Sequence, residues 1–422
     1  MSSILAELKS RGLVHDCTDE AALNGALANG LTFYVGFDPT APSLHIGNLV
    51  QIITAKRLQL AGNKPLALVG GATGLIGDPK MSGERTLNDS ELVQQWSARL
   101  RLQLEKFFNF DGPAAAQLVN NFDWTHDVTV LQFLRDIGKH FSVNRMLDRE
   151  AVAARLAGPG ISFTEFSYQV LQAYDFLHLH QNYNATLQTG GSDQWGNLTA
   201  GTDLIRRVTG NIVHALSTPL LTKADGGKFG KTESGTVWLD PELTSPYAFY
   251  QFWLNTDDRD LPKMLNVFSL RPLDEIEQLI AASAAEPHLR IGQRELAREM
   301  TALVHSEAEM TQAESAAALL FGSGDLSSIA KSALMGALTE AGLIEKHLDG
   351  ASPIGIVDLF VATELVKSKA EARRMIGEGA AWCNNQKCTD PEAVLDPKTL
   401  LFGEILVLRR GKKKIAGVRF LA

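Results

Sequence analysis

Leu31-Thr32-Phe33-Tyr34-Val35-Gly36-Phe37 is an apolar, β-favouring run, and Asp38-Pro39-Thr40-Ala41-Pro42 stops it before an amphipathic stretch from His45 to Gln59. The run has the length of a buried strand, the prolines break it, and the apolar spacing after His45 predicts a helix. The pattern then repeats. Pro65 opens Leu66-Ala67-Leu68-Val69-Gly70, glycines close it, and a polar helical stretch runs from Ser90 to Phe108. A further strand is expected from Ala185 to Gly190, with mostly helical sequence over 131–180 and from Pro246 to Leu320. Strands alternating with helices give a parallel α/β sheet, which takes its ligands in the crevice beyond the carboxyl ends of the strands.

Length and charge add a second module. The 422 residues exceed what one ordinary core organises, and Gly350-Ala351-Ser352-Pro353 reads as a join. Net charge is −8, yet residues 355–422 hold twelve Lys and Arg against eight Asp and Glu, as expected of a module that meets a polyanion. Within it Val366 to Met375 reads as a cationic helix and Glu404 to Lys414 as strand-rich. Three cysteines are too few for a disulfide framework, and Cys383 and Cys388 have no partner pair for zinc, so no metal is assigned. No apolar run approaches the ~20 residues of a membrane span, and the first residues lack a signal-peptide pattern, so a cytoplasmic protein is expected.

A helix that starts after a strand of such a sheet aims free N–H groups and its positive end at the crevice. Thr40 and His45 flank that start with a hydroxyl and an imidazole, both able to donate to phosphate oxygens, and Gly47 allows close approach. Lys228-Phe229-Gly230-Lys231-Thr232 puts two lysines three apart in a glycine-rich stretch suited to a polyphosphate. Gly70-Gly71-Ala72-Thr73-Gly74-Leu75-Ile76-Gly77-Asp78-Pro79 fits neither a Walker loop nor a dinucleotide fingerprint, but Asp78 offers an ammonium group a carboxylate. Tyr168, Gln172 and Asp175 fall at i, i+4 and i+7 of one helix and share a polar face among apolar neighbours.

His45-Ile46-Gly47-Asn48 and Lys228 to Thr232 together resemble the H-I-G-H and K-M-S-K-S signatures of class I aminoacyl-tRNA synthetases. Tyr34 to Thr40, Phe163 to Tyr168 with Gln172 to Asp175, and Gly190-Gly191-Ser192-Asp193-Gln194-Trp195-Gly196-Asn197 are similar to bacterial tyrosyl-tRNA synthetases, and the likeness runs nearly end to end. It implies an α/β fold with a Rossmann-like parallel-sheet catalytic domain over 1–225, carrying a helical dimerisation insertion at about 115–165. A helical tRNA-binding domain over 226–325 would follow, then a linker over 326–352 and a small α+β RNA-binding domain over 353–422, similar to a module of a small-subunit ribosomal protein.

The resemblance also implies roles. Tyr34 and Asp175 would meet a substrate phenol, Asp78, Tyr168 and Gln172 its α-ammonium group, and Gln188 the same pocket. Asp38 and Gln194 would orient the amino acid and its adenylate, and Gly191 and Asp193 would face ribose. Gly36, Gly47, Asn48 and Thr232 would border ATP, Thr40 and His45 its α-phosphate, and Lys228 and Lys231 the pyrophosphate. Asn48 stands where a second His is usual, Val35 where a Cys is common, and the spacing around Lys80 and Arg85 is altered. Lys367, Lys369, Arg373, Arg374, Arg409, Arg410, Lys412, Lys413 and Lys414 are the candidate RNA contacts. L-tyrosine, ATP with Mg²⁺, tRNA and a second copy of the chain are the partners expected. A tryptophanyl-type enzyme and a non-catalytic synthetase-like RNA-binding protein are the alternatives.

Overall fold

Strand β2 (Thr32–Phe37) lies inside a six-stranded sheet with β1 (Asp16–Cys17), β3 (Lys64–Val69), β4 (Gln117–Asn120), β5 (Ala185–Gly191) and β6 (His214–Thr218). The order is β1-β6-β5-β2-β3-β4, and every neighbouring pair is parallel except β1 with β6. The computed structural model describes residues 3–79, 83, 87–158, 160–224, 226–227, 229–232, 235–322, 324–347, 354–411 and 414–421, the side chains of 150, 151, 231 and 232 excepted. From β2 the chain builds outward through β3 and β4, then returns to add β5 and β6 on the other flank. That reversal opens a crevice between β2 and β5 at their carboxyl ends. Register sets what faces it, because Tyr34 of β2 pairs with Gln188 of β5 and their side chains share one face.

The helices after β2 (Ile46–Leu60), after β3 (Ser90–Glu105) and around β5 (Phe163–Tyr183, Trp195–Thr209) follow the α/β expectation within a few residues. Tyr34, Leu66, Leu68, Phe176, Ala185 and Leu204 form a core on one side of the sheet. Strands β7 (Lys231–Thr232) and β8 (Gly235–Thr236) make a short hairpin.

The chain divides into two units, residues 1–240 with 257–285, and 241–256 with 286–422. The helical stretch expected as one block over 226–325 is therefore shared between them. Its Leu261–Phe268 helix stays with the sheet because two buried guanidinia grip its C-terminal carbonyls. Arg57 Nη1 donates to Val267 O at 2.7 Å, and Arg11 Nη1 to Ser269 O at 3.1 Å. In the second unit Phe249, Tyr250, Trp253, Leu296, Met300 and Ala316 are buried, all on the helices Pro246–Leu254, Ile291–Val304 and Glu307–Leu320.

Residues 326–352, expected as a linker, are in large part built into that second unit. Lys331–Ala341 is a helix that buries Ala333, Leu334, Ala337 and Leu338, and Leu343–His347 is strand β9. With β10 (Ala381–Cys383), β11 (Gln386–Lys387), β12 (Ile405–Arg410) and β13 (Lys414–Leu421) it forms a sheet of order β11-β10-β12-β13-β9. Small residues that look like linker sequence are here close-packing residues: Ala333 and Ala337 are buried, and a Cβ on Gly336 would come within 2.8 Å of Ser245 Oγ. The cationic helix of this region starts at Lys369, three residues later than read, because Ser368 caps it.

One buried ion pair locks the insertion before the Phe163–Tyr183 helix. Arg155 Nη2 and Glu165 Oε2 are 2.9 Å apart and both side chains are almost wholly buried. The same guanidinium donates to Gly160 O at 2.8 Å and to Gly83 O at 2.6 Å. Removing one buried partner strands the other charge, so Arg155→Met should cost about 3 kcal/mol in urea unfolding, with much of it recovered by adding Glu165→Leu. Equal stability of Arg155→Met and the native chain would refute this.

Candidate functional site

His45 ends the turn after β2 and caps the Ile46–Leu60 helix. Its Nδ1 accepts from Gly47 N–H at 3.0 Å, and its own backbone N–H donates to Asn48 Oδ1 at 3.0 Å. The direction of the first bond assigns the ring proton to Nε2. Gly47 was expected to be small for a ligand's sake, but the structure gives a nearer reason: a Cβ there would lie 2.8 Å from the His45 ring. Asn48, expected beside nucleotide, spends its side-chain oxygen on the cap. Thr40 is exposed on the turn, its N–H bonded to Asp38 O at 2.8 Å.

The second signature segment is brought to this helix start by backbone pairing. Ile46 N–H donates to Val237 O at 3.0 Å, Leu239 N–H to Leu44 O at 2.9 Å, and His45 forms an antiparallel bridge with Trp238. Gly230, at φ +81°, lies against Ile46 so closely that a Cβ would meet Ile46 Cγ2 at 2.3 Å. Lys231 and Thr232 leave that contact as β7. Lys228, like Lys80, Arg85, Lys412 and Lys413, lies outside the described residues.

Inside the crevice a continuous polar network runs through an apolar wall. Asp175, on the Phe163–Tyr183 helix, accepts from Asn121 Nδ2 and Trp124 Nε1, each at 2.9 Å. Burial pushes its carboxyl up to about 7, although those two bonds pull the other way. Asn121 Nδ2 also donates to Thr73 Oγ1 at 2.9 Å, and Thr73 Oγ1 donates to Asp38 Oδ1 at 2.7 Å. Tyr168 Oη donates to the other Asp38 oxygen at 2.6 Å. Gly70 stands where a Cβ would strike Asp38 Oδ1 at 1.9 Å, so the glycine-rich stretch makes room for a carboxylate. Tyr34 receives a bond from Gln188 Nε2, and among the described residues its own hydroxyl has only Gln172 O at 3.5 Å as acceptor. Burial, then nearby carboxylates, raise the Tyr34 and Tyr168 hydroxyls well above their usual range, so both remain protonated donors.

Asp78 forms a second cluster. Gln194 Nε2 donates to its Oδ2 at 2.7 Å and Asn197 Nδ2 to its Oδ1 at 3.2 Å. Burial pushes Asp78 up to about 6 against the pull of those bonds. Tyr168 was grouped with Asp78 from the sequence, but its hydroxyl bonds Asp38. Gln194 was read as orienting the amino acid and its adenylate, and its amide bonds Asp78. Gly191 and the exposed Asp193 sit together at the end of β5, where a Cβ on Gly191 would meet Asp193 Oδ1 at 2.4 Å. Gly36 and Gln172 are at the crevice end of β2 and on the polar helix face respectively. Asn121 and Trp124 went unnoticed in the sequence, and Thr73 and Asn197 were quoted within motifs but given no role; the signal was available in Asn120-Asn121, an amide pair closing a strand of the same sheet.

Among the described residues no group of three or more His, Cys, Asp or Glu is arranged to hold a metal ion, and no helix is long and apolar enough to cross a membrane. In the C-terminal module the candidate RNA contacts divide. Arg409 is a correction: it is buried, donates to Gly322 O at 2.8 Å and lies over the Trp382 ring at 4.8 Å, so it cements the unit. Its strand is buried on both faces, which a count of charges does not reveal. Arg410 pairs with Glu371 at 3.0 Å, Lys369 with Asp358 at 2.6 Å, Arg373 with Glu392 at 3.4 Å and Arg374 with Glu378 at 3.9 Å. Lys367 and Lys414 are exposed.

Comparison with known proteins matches these features. Residues 28–322 fit the family model of tRNA synthetases class I (W and Y), and residues 345–418 that of the tyrosine–tRNA ligase SYY-like C-terminal domain. The chain is 58% identical over 423 residues to the tyrosine–tRNA ligase of Kineococcus radiotolerans and 56% over 421 residues to that of Streptomyces avermitilis, each alignment covering 99% of both chains. A C-terminally truncated mitochondrial tyrosyl-tRNA synthetase of Coccidioides posadasii superposes with a TM-score of 0.67 at 32% identity, over 75% of this chain and 92% of that one.

Proposed function

This chain belongs to the class I tRNA synthetases of the tryptophan and tyrosine family, and from that premise we infer how a tyrosine–tRNA ligase is built from its residues. The reaction joins tyrosine to ATP as tyrosyl-adenylate with release of pyrophosphate, then passes the tyrosyl group to the 3′ end of tRNA with release of AMP. The observation that carries the site assignment is the pairing of residues 44–46 with 237–239, which holds His45 beside the Gly230–Lys231 turn.

In this reading the tyrosine carboxylate attacks the α-phosphorus in line, and catalysis is positioning and charge stabilisation with no side-chain nucleophile. His45 Nε2–H, the Thr40 hydroxyl and the helix start stabilise the charge growing on the α-phosphate, and Lys228 and Lys231 act on the pyrophosphate. Gly36, Gly47, Asn48, Gly191, Asp193 and Thr232 border the nucleotide. Mg²⁺ arrives with ATP, held by phosphate oxygens. Asp78, Gln194 and Gln172 hold the amino acid's charged end. Tyr34, Asp175 and Gln188 meet the phenol, and Asp38 and Tyr168 brace the slot between. Tyr34 with Asp175 favours tyrosine over the larger tryptophan indole, which has no hydroxyl to place between them. Residues 1–225 would carry this chemistry in the cytoplasm, while Lys367 and Lys414 in the 353–422 module would contact tRNA. Tyrosine-dependent ATP–pyrophosphate exchange tests the function: exchange with tryptophan instead, or with no amino acid, would refute it.

A homodimer is also proposed. Leu131 is 81% exposed and Phe163 75%, and Val130, Leu134, Val143 and Leu156 of the same 115–165 insertion are exposed as well. Apolar exposure on that scale is characteristic of an interface. Leu131→Asp with Phe163→Asp should halve the mass seen by sedimentation at micromolar concentration; an unchanged mass would place the interface elsewhere.

A further inference from the structure

The segment that joins the helices Val143–Leu147 and Glu150–Leu156 sends one side chain into the tyrosine end of the crevice. Arg149 Nη1 donates to Asn197 Oδ1 at 3.0 Å, and Nη2 donates to the carbonyl of Gly196. Gly196 is the residue that admits this contact, since a Cβ would lie 2.8 Å from Nη1 and 3.0 Å from Cζ. Asn197 is buried at the start of the Trp195–Thr209 helix, and its amide is fully used. Its oxygen accepts from Arg149, while its nitrogen donates to Asp78 Oδ1 at 3.2 Å and to Gln194 Oε1 at 2.9 Å.

A carboxamide has a donor end and an acceptor end that exchange on a half-turn. Turned over, Asn197 would aim an oxygen at the Asp78 carboxylate and lose both bonds. A guanidinium only donates, so it excludes the turned form. We infer that Arg149 is a positioning residue for tyrosine recognition: it fixes the orientation of Asn197, and through that amide the placement of Asp78 and Gln194. Burial draws the guanidinium down to about 10, which leaves it cationic at neutral pH. The inference rests on the assignment of Asp78 and Gln194 to the tyrosine backbone.

The test compares Arg149→Ala, Asn197→Ala, the double variant and Asp78→Ala in the full chain, by equilibrium tyrosine binding, KM for ATP, tRNA charging and thermal melting. Arg149→Ala should raise the tyrosine Kd about tenfold, the loss of one charge-assisted bond acting at one remove, and leave KM for ATP within about twofold. The double variant should bind tyrosine no worse than Asn197→Ala alone, because both act through one amide. Additive losses would overturn the inference. So would a defect confined to tRNA charging, the outcome if Arg149 served phosphate with Arg145, Arg206 and Arg207, which line the same cleft of about 650 Å³. If Arg149→Ala does not fold, Arg149→Lys enters the same cycle. Unchanged tyrosine binding in Asp78→Ala would instead refute the underlying site assignment.

Discussion

Replacing Thr40 and His45 together by Ala is expected to slow tyrosyl-adenylate formation by roughly 10⁴-fold while tyrosine affinity stays within about twofold. A preorganised donor aimed at charge that appears only in the transition state contributes about 10²–10³ in rate. Two such donors flank one helix start here, and the His45 side chain is engaged with Gly47 N–H at that start rather than forming part of the tyrosine slot. Losing them should therefore spare the ground state. His45 needs a control because it also caps its helix, and an uncapped helix costs ~1 kcal/mol of stability. His45→Asn keeps a side-chain acceptor for Gly47 N–H, so it should melt close to the native chain while still losing most of the histidine's share of the rate. Single-turnover adenylate formation, with melting in parallel, separates the two roles. Parallel losses in tyrosine affinity and rate would show that the pair acts on bound substrate instead.

The strand–turn–helix around Tyr34 to Gln59 was legible because a continuous apolar run gives way to helical spacing across two prolines, and both patterns are local properties. The Tyr168–Gln172–Asp175 face was legible for the same reason, as helical spacing alone groups it. What surrounds Asp175 was not. Asn121 and Trp124 reach it from the end of β4 because β4 lies beyond β3 in the sheet, a consequence of strand order that no local pattern encodes. Thr73 and Asn197 were hidden similarly, each being ordinary in its own segment and decisive only beside Asp38 or Asp78.

Errors arose where composition stood in for packing. Within 326–347, small residues such as Ala333, Gly336 and Ala337 serve close helix contacts rather than a tether. Arg409 added to a count of cations, although its guanidinium is spent on Gly322 O and the Trp382 ring. Gly47 and Asn48, read by what a ligand would need, are not among these errors: His45 capping gives a second, local reason for a glycine and an amide there, compatible with a place beside nucleotide.

Asp175→Ala should all but abolish the preference for tyrosine over phenylalanine and remove one limb of the pH dependence of tyrosine binding. The native slot presents the Tyr34 hydroxyl, which lacks a good acceptor, and the Asp175 carboxylate, which keeps lone pairs beyond those used by Asn121 and Trp124. A phenol bonds both, and a phenyl ring leaves both buried groups unmatched. The resulting factor of about 10⁵ is the standard example taken from tyrosyl-tRNA synthetases themselves rather than a value derived from this geometry. Without Asp175 the penalty on phenylalanine largely disappears, so the ratio of kcat/KM for the two amino acids should fall by at least ~10³. The proton balance follows from two raised carboxyls, Asp175 at about 7 and Asp78 at about 6. In the empty site each takes up a proton as pH falls through its own value. The bound amino acid needs both ionised, one to accept from the phenol and one to face the ammonium group. Tyrosine affinity should thus be full above pH 8 and decline with falling pH, first through 7 and then more steeply through 6. Asp175→Ala should keep only the lower limb, and Asp78→Asn only the upper. A pH profile unchanged in Asp175→Ala, or undiminished rejection of phenylalanine, would remove Asp175 from the phenol site.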